Sequence, residues 1–324
     1  MTASRQHSKN KVNATAVIDT RSALLSDLVR MNDPDAVLAE VRCILSVIDD
    51  RFDDDLVDRA FELTINLFRG HYPGYRECNT EYHNLRHTTD TFLTTARLAH
   101  GAIIDGERFT NRRVSLALTA ALLHDAGYIQ EIDDIEGTGA KHTLDHVQRS
   151  MQFMEKAAGD LGLSEDEVSD GAAMIFCTEI AEELTDFDSE DPQILLLGKI
   201  LGAADLLAQL ADRTYLEKLL FLYREFKEAN VGGYENERDL LRRTVGFYDA
   251  IVIRLDKTLS GADRFVNSHF SQRWGIDRNL YKEAIENQKL YLKKILAIPD
   301  TDHRDFLKRN GIVEKVRKKY RTPH

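Results

Sequence analysis

Six of the eleven histidines fall between residues 83 and 146: His83, His87, His100, His124, His142 and His146. Imidazole is both a metal ligand and the side chain whose proton moves near neutral pH, so such clustering points to metal binding or proton transfer. His83 and His87, in YHNLRH, are four residues apart, and the spacing predicts one helical turn at the start of a helix with both rings on the same side. His124 and Asp125 close the apolar run ALTAALLHD, and Asp205 stands in the equally apolar ILGAADLLAQLAD. Ionisable groups in such settings are costly without a partner. A divalent cation would supply one, and imidazoles mixed with carboxylates suit Mn, Mg, Fe or Zn according to geometry. For each residue alone a hydrogen-bonded core role is open, and Asp205 alone could cap or pair with Arg213.

The elements that must position these residues read as helices. Only five prolines and 18 glycines interrupt 324 residues, and apolar residues recur at spacings of three and four in 36–48, 56–68 and 88–101. Asp33-Pro34 predicts a capped helix start. The segment 112–125 is apolar on nearly every face, which predicts a buried central helix. Further helices are expected over 141–158, 165–181 and 192–213, with more to about 300. Residues 69–84 and the acid- and glycine-rich 126–140 read as loops, as does the acidic stretch 182–192. No strand-like alternation competes, so the expected fold is all-α. The expected organisation is a flexible segment at 1–30, one helical domain at 31–300 with a bend at 230–236, and a solvated basic tail at 301–324 containing KVRKKYR.

A net charge of -11 argues against a general nucleic-acid binder. Three cysteines (Cys43, Cys78 and Cys177) form no CxxC pair and fit a reducing cytoplasm. No signal-peptide core and no run of about 18 apolar residues is evident, so no membrane association is expected. The apolar faces of the C-terminal helices leave open a homodimer.

The order His…His-Asp…Asp, with HD closing an apolar helix, resembles the HD superfamily of metal-dependent phosphohydrolases. YHNLRHTTD further resembles the YHNxxHxxD signature of cyclic-nucleotide phosphodiesterases and related bacterial HD phosphohydrolases, with LLHD following 37 residues later. The resemblance implies an HD/PDEase-like helical bundle over roughly 80–210 in which His87, His124, Asp125 and Asp205 bind one metal ion. Asp125 would bridge to a second ion, and His83 would protonate the leaving oxygen of a small phosphate ester such as a nucleotide. The chain departs from the phosphodiesterases at HDAGYIQ, where Tyr128 replaces a histidine, and His142 is the expected second-site ligand, with His146 on a helix face. Carboxylates of Glu131, Asp133 or Asp134 are other candidates. The paired histidines of the HD-GYP group have no counterpart in IFCTEI (175–180), which disfavours cyclic di-nucleotides. Gln272 and Gln288 match a purine-clasping glutamine only by position. Two readings from other classes stay open: a di-iron oxygenase of the same fold, using His142 with His146, and a catalytically silent regulatory module.

Overall fold

The computed structural model describes residues 19–180, 191–299 and 301–320. Among them the chain is all-α: 14 α-helices, no sheet, and two isolated bridges, Arg69 with Glu77 and Tyr75 with Glu131. In order, α1 is Leu25–Leu28, α2 Pro34–Ile48, α3 Asp55–Phe68, α4 Leu85–Ile104 and α5 Asn111–Leu123. Then come α6 His146–Lys156, α7 Ala158–Leu161, α8 Glu165–Phe176 and α9 Pro192–Ala211. The set closes with α10 Tyr215–Glu228, α11 Glu237–Lys257, α12 Val266–Trp274, α13 Leu280–Leu296 and α14 Ile312–Tyr320.

Local chemistry sets half of the helix starts. Asp33, Asn84, Thr110, Ser164, Asp191, Asn236 and Asn279 each accept a backbone N–H from the first turn that follows, satisfying donors that a helix leaves unpaired. Pro34 and Pro192 occupy first helical positions, where the missing N–H costs nothing. Helices α4 and α9 form the centre, packed against each other and enclosed by α2, α5, α8, α12 and α13. Helix α4 tolerates five buried threonines because four of them return their hydroxyls to carbonyls one turn back: Thr88 to Asn84, Thr89 to Arg86, Thr94 to Asp90 and Thr95 to Thr91. Helix α9 is long and apolar enough to cross a membrane, but it is mostly buried inside the protein.

Several sequence expectations are corrected. His83 precedes α4 instead of lying in its first turn, because Asn84 is the cap. The helix expected from 141 begins at His146, and a 3-10 turn occupies Gly139–His142. Residues 19–30 are not a free segment: Ala23, Leu28 and Val29 are buried, and Arg278 donates to the carbonyls of Thr20 and Ala23. Residues 1–18 and the acidic loop at 181–190 lie outside the described residues. The basic tail is also largely folded. Its lysines and arginines alternate with Ile312, Val313 and Val316, which bury one face of α14, and Tyr320 donates to Glu81 at 2.7 Å. The bend at 230–236 is a turn between α10 and α11, with Asn230 at φ 55 and Gly233 at φ 100.

Candidate metal centre

Three helices deliver the cluster. His87 comes from the first turn of α4, fixed where Asn84 accepts from the backbone N–H groups of Arg86 and His87. His124 caps the C-terminus of α5, Asp125 follows it, and Asp205 projects from the middle of α9. Helix α6 grips the turn that carries the His-Asp pair. The Ser150 hydroxyl donates to the His124 carbonyl at 2.6 Å and accepts from Gly127 N–H at 2.9 Å. All four side chains are buried.

The donor atoms converge. His87 Nε2 lies 3.0 Å from Asp205 Oδ1, 3.4 Å from His124 Nε2 and 3.5 Å from Asp125 Oδ2. His124 Nε2 lies 3.5 Å from Asp125 Oδ2 and 3.6 Å from Asp205 Oδ1. Ligands about 2.1 Å from one ion stand about 3.0 Å apart at the corners of an octahedron and about 3.4 Å apart on a tetrahedron. The measured spacings fall around both values. Asp125 Oδ2 and Asp205 Oδ1 are buried without a hydrogen-bond partner, although buried carboxylates otherwise find donors. His124 Nδ1 donates to the Ala121 carbonyl at 2.8 Å, which turns its Nε2 lone pair toward the cluster, as second-sphere hydrogen bonds do for zinc-type histidines. The buried group His87, His124 and Asp125 is thus able to hold a metal ion, and Asp205 stands within reach as a fourth donor.

The electrostatics agree. Burial works to neutralise Asp205, but His124 and His87 overcome it and hold the carboxyl well below its ordinary range. Asp125 is lowered against its own burial by His124, His83 and His87. Burial also opposes charge on His124, yet Asp125 and Asp205 raise it to about 9. A cation arriving here would therefore displace a proton.

Asp125 faces two ways. Its Oδ1 is 4.0 Å from His146 Nε2, and His146 Nδ1 donates to the Thr143 carbonyl at 2.8 Å. Burial lowers the pKa of His146, which leaves Nε2 as a lone pair beside that oxygen. His142, the expected second-site residue, is instead held outside the cluster by Asp134 at 3.3 Å and Asp145 at 3.5 Å. The reason is register: the 3-10 turn ends at His142, and α6 starts one turn later with His146 against the Gly127 backbone. A side chain at Gly127 would collide with the His146 carbonyl, so this close approach requires glycine.

His83 has a partner that sequence reasoning missed. Its Nδ1 is 2.7 Å from Glu225 Oε2, while Glu225 Oε1 accepts the backbone N–H groups of Glu81 at 2.8 Å and Tyr82 at 2.7 Å. Burial disfavours charge on His83, but the hydrogen bond and charge of Glu225, helped by Asp125 and Asp205, raise its pKa. The available signal was an acid on the buried side of α10, one turn beyond Phe221. Tyr128 stacks between His83 at 4.3 Å and His146 at 4.5 Å. Its phenol is kept neutral by burial and then by Asp125.

These residues open into a cavity of about 480 Å³. His83, His87, Asp125 and Asp205 form its polar part, while Leu219, Leu222 and Phe226 of α10, with Tyr234 and Phe247, supply an apolar wall. Phe226 and Tyr234 stack at 5.5 Å, and Arg243 also lines the cavity.

An all-helical body with a buried cluster of two histidines and two aspartates is the class that fold and site define. Within it, the chain belongs to the Npun_R2479-like family, which matches residues 73–263. That span contains every cluster residue as well as His83, His146 and Glu225. No curated protein and no solved structure gives a match.

Proposed function

We propose that this protein is a metal-dependent phosphohydrolase of the HD type, acting on a small phosphate ester, first of all a phosphodiester such as a cyclic nucleotide. The observation that carries the reading is the set of four donors at ligand spacing, two of them buried oxygens with no hydrogen-bond partner. His87, His124, Asp125 and Asp205 would hold one divalent ion, Mn, Mg, Fe or Zn, and Asp125 Oδ1 with His146 would contribute to a second. Such ions supply a water of lowered pKa and stabilise charge on phosphoryl oxygens.

The remaining roles belong to the chain itself. Glu225 fixes the His83 ring through Nδ1 and keeps it protonated, so Nε2 can donate to the departing oxygen. Tyr128, stacked on His83, holds the ring plane. The wall formed by Leu219, Leu222 and Phe226 shelters the organic part of the ester and excludes water around the reacting bond.

The position of His146 favours two ions, and that arrangement would also serve oxygen activation at a di-iron centre. Hydrolysis is tested with a panel containing a generic phosphodiester, phosphomonoesters, cyclic AMP, cyclic GMP and nucleotides, with Mn and Mg assayed separately. Cleavage that vanishes in Asp125→Ala supports the proposal. No cleavage by metal-loaded protein, together with oxygen uptake by the iron form, would replace it with the oxygenase reading; inactivity in both assays would favour a regulatory module.

A further inference from the structure

Helix α4 also serves a second cavity. His87 belongs to the metal centre, whereas Arg86, Asp90, Thr94 and Arg97, at successive steps of four, four and three residues, line a separate space of about 290 Å³. Helices α9 and α13 and the segment around Leu24–Met31 supply its other walls.

Four arginines, Arg86, Arg97, Arg213 and Arg309, line it beside three acids, Asp90, Asp212 and Glu283. Among the described residues, Arg97, Arg213 and Arg309 have no carboxylate within ion-pair distance. Arg97 is 2% exposed. Its Nη1 donates to the Tyr281 hydroxyl at 2.8 Å, and the guanidinium lies 5.7 Å from the Phe270 ring centre and 5.8 Å from that of Tyr281. Its Nε and Nη2 are buried and have no acceptor. Arg309 Nη1 reaches only the Arg213 carbonyl at 2.7 Å and Gln288 Oε1 at 3.3 Å. The cavity's own acids face other cations, and Asp90 and Asp212 each lie 3.7 Å from Arg86. Asp212 is engaged by Lys218 at 2.5 Å and Glu283 by Arg278 at 2.6 Å. Asp90, buried beside Asp212, is pushed up to about 7.

A buried guanidinium with two idle donors is costly unless an anion completes it. Guanidinium forks match the paired oxygens of phosphate and carboxylate groups. We propose that this cavity is a second ligand site, taking a small molecule that bears a multiply charged oxyanion, with its apolar part against Leu24, Met31 and Leu280. Phosphate esters and polycarboxylates share that chemistry. The site is independent of hydrolysis at the metal centre, yet it abuts it. A void of about 10 Å³ between them is lined by His87 and Gln209 as well as by Asp90 and Asp212.

The test is calorimetric titration of the full chain carrying Asp125→Ala, which disables the metal centre, with pyrophosphate and with tricarballylate at about 0.15 M salt. Binding of one anion per chain is expected, and the tighter probe assigns the ligand as phosphorylated or carboxylic. Arg97→Gln should weaken it at least about ten-fold, and the exposed Arg213→Ala and half-buried Arg309→Ala should each weaken it measurably. If Arg97→Gln fails to fold, the latter two decide. Absence of binding by either anion, or binding that neither Arg213→Ala nor Arg309→Ala alters, overturns the proposal.

Discussion

Glu225→Gln isolates the carboxylate behind the proposed proton donor with little change in shape. The glutamine carbonyl can still accept from the N–H groups of Glu81 and Tyr82, so the loss falls on the contact with His83. That contact is a buried, charge-assisted hydrogen bond at 2.7 Å, a kind worth about 1.5–3 kcal/mol, or a factor of roughly 10–150 in favour of the protonated ring. His83 has its pKa raised in the fold, so the associated stability is fully present below the unfolded value and is lost as pH rises through the folded value. In the variant burial prevails and the folded value drops. Stability and activity should then diverge in opposite directions. The variant should be less stable than wild type in acid, with the gap closing toward alkaline pH. Its hydrolytic rate should match wild type in acid and fall roughly ten-fold or more behind as pH rises, with KM little changed. Urea unfolding at several pH values and a kcat–pH profile measure both. An alkaline limb in the same place for both proteins, or a rate loss equal at every pH, would refute the role assigned to Glu225.

Three further outcomes follow from the same geometry. Saturating Mn should raise the stability of wild type by about 2.7 kcal/mol at a hundred-fold excess over Kd, and Asp205→Asn should remove most of that gain in a thermal melt. His146→Ala should cost the second equivalent of metal in an elemental analysis while His142→Ala retains it; the reverse would restore the sequence expectation. Gly127→Ala sets a methyl against the His146 carbonyl, so it should destabilise the fold by at least about 1–3 kcal/mol in urea unfolding, and a neutral substitution would mean that α6 is free to shift.

The all-α class and the four-donor cluster were legible in the chain because each relies on local contrast. An ionisable group inside ALTAALLHD or ILGAADLLAQLAD stands out against its neighbours, and helical spacing brings it inward. What escaped depended on register or on distant partners. His142 and His146 differ by one turn, and only the end of a short 3-10 turn decides which of them meets Asp125. Glu225 meets His83 across 142 positions of chain. Arg97 looks like an ordinary surface charge until Phe270 and Tyr281 close over it. The basic run at 315–321 hid an amphipathic helix because its few apolar residues, Ile312, Val313 and Val316, lie at its start and within it.

The hydroxyl of Tyr320 on Glu81 has a consequence for assembly. Glu81 and Tyr82 give their N–H groups to Glu225, so the loop that presents His83 is completed only by contacts 144 and 239 positions downstream. Closing loops of that length delays contact formation. Three of the metal donors need no such wait, since His87 and His124 are 37 positions apart and Asp125 follows directly, whereas Asp205 joins them only with α9. During synthesis a nascent chain should therefore bring His87, His124 and Asp125 together first, with Asp205 and then the Glu225 partner of His83 following, and the His83 loop should be completed only once residue 320 has emerged.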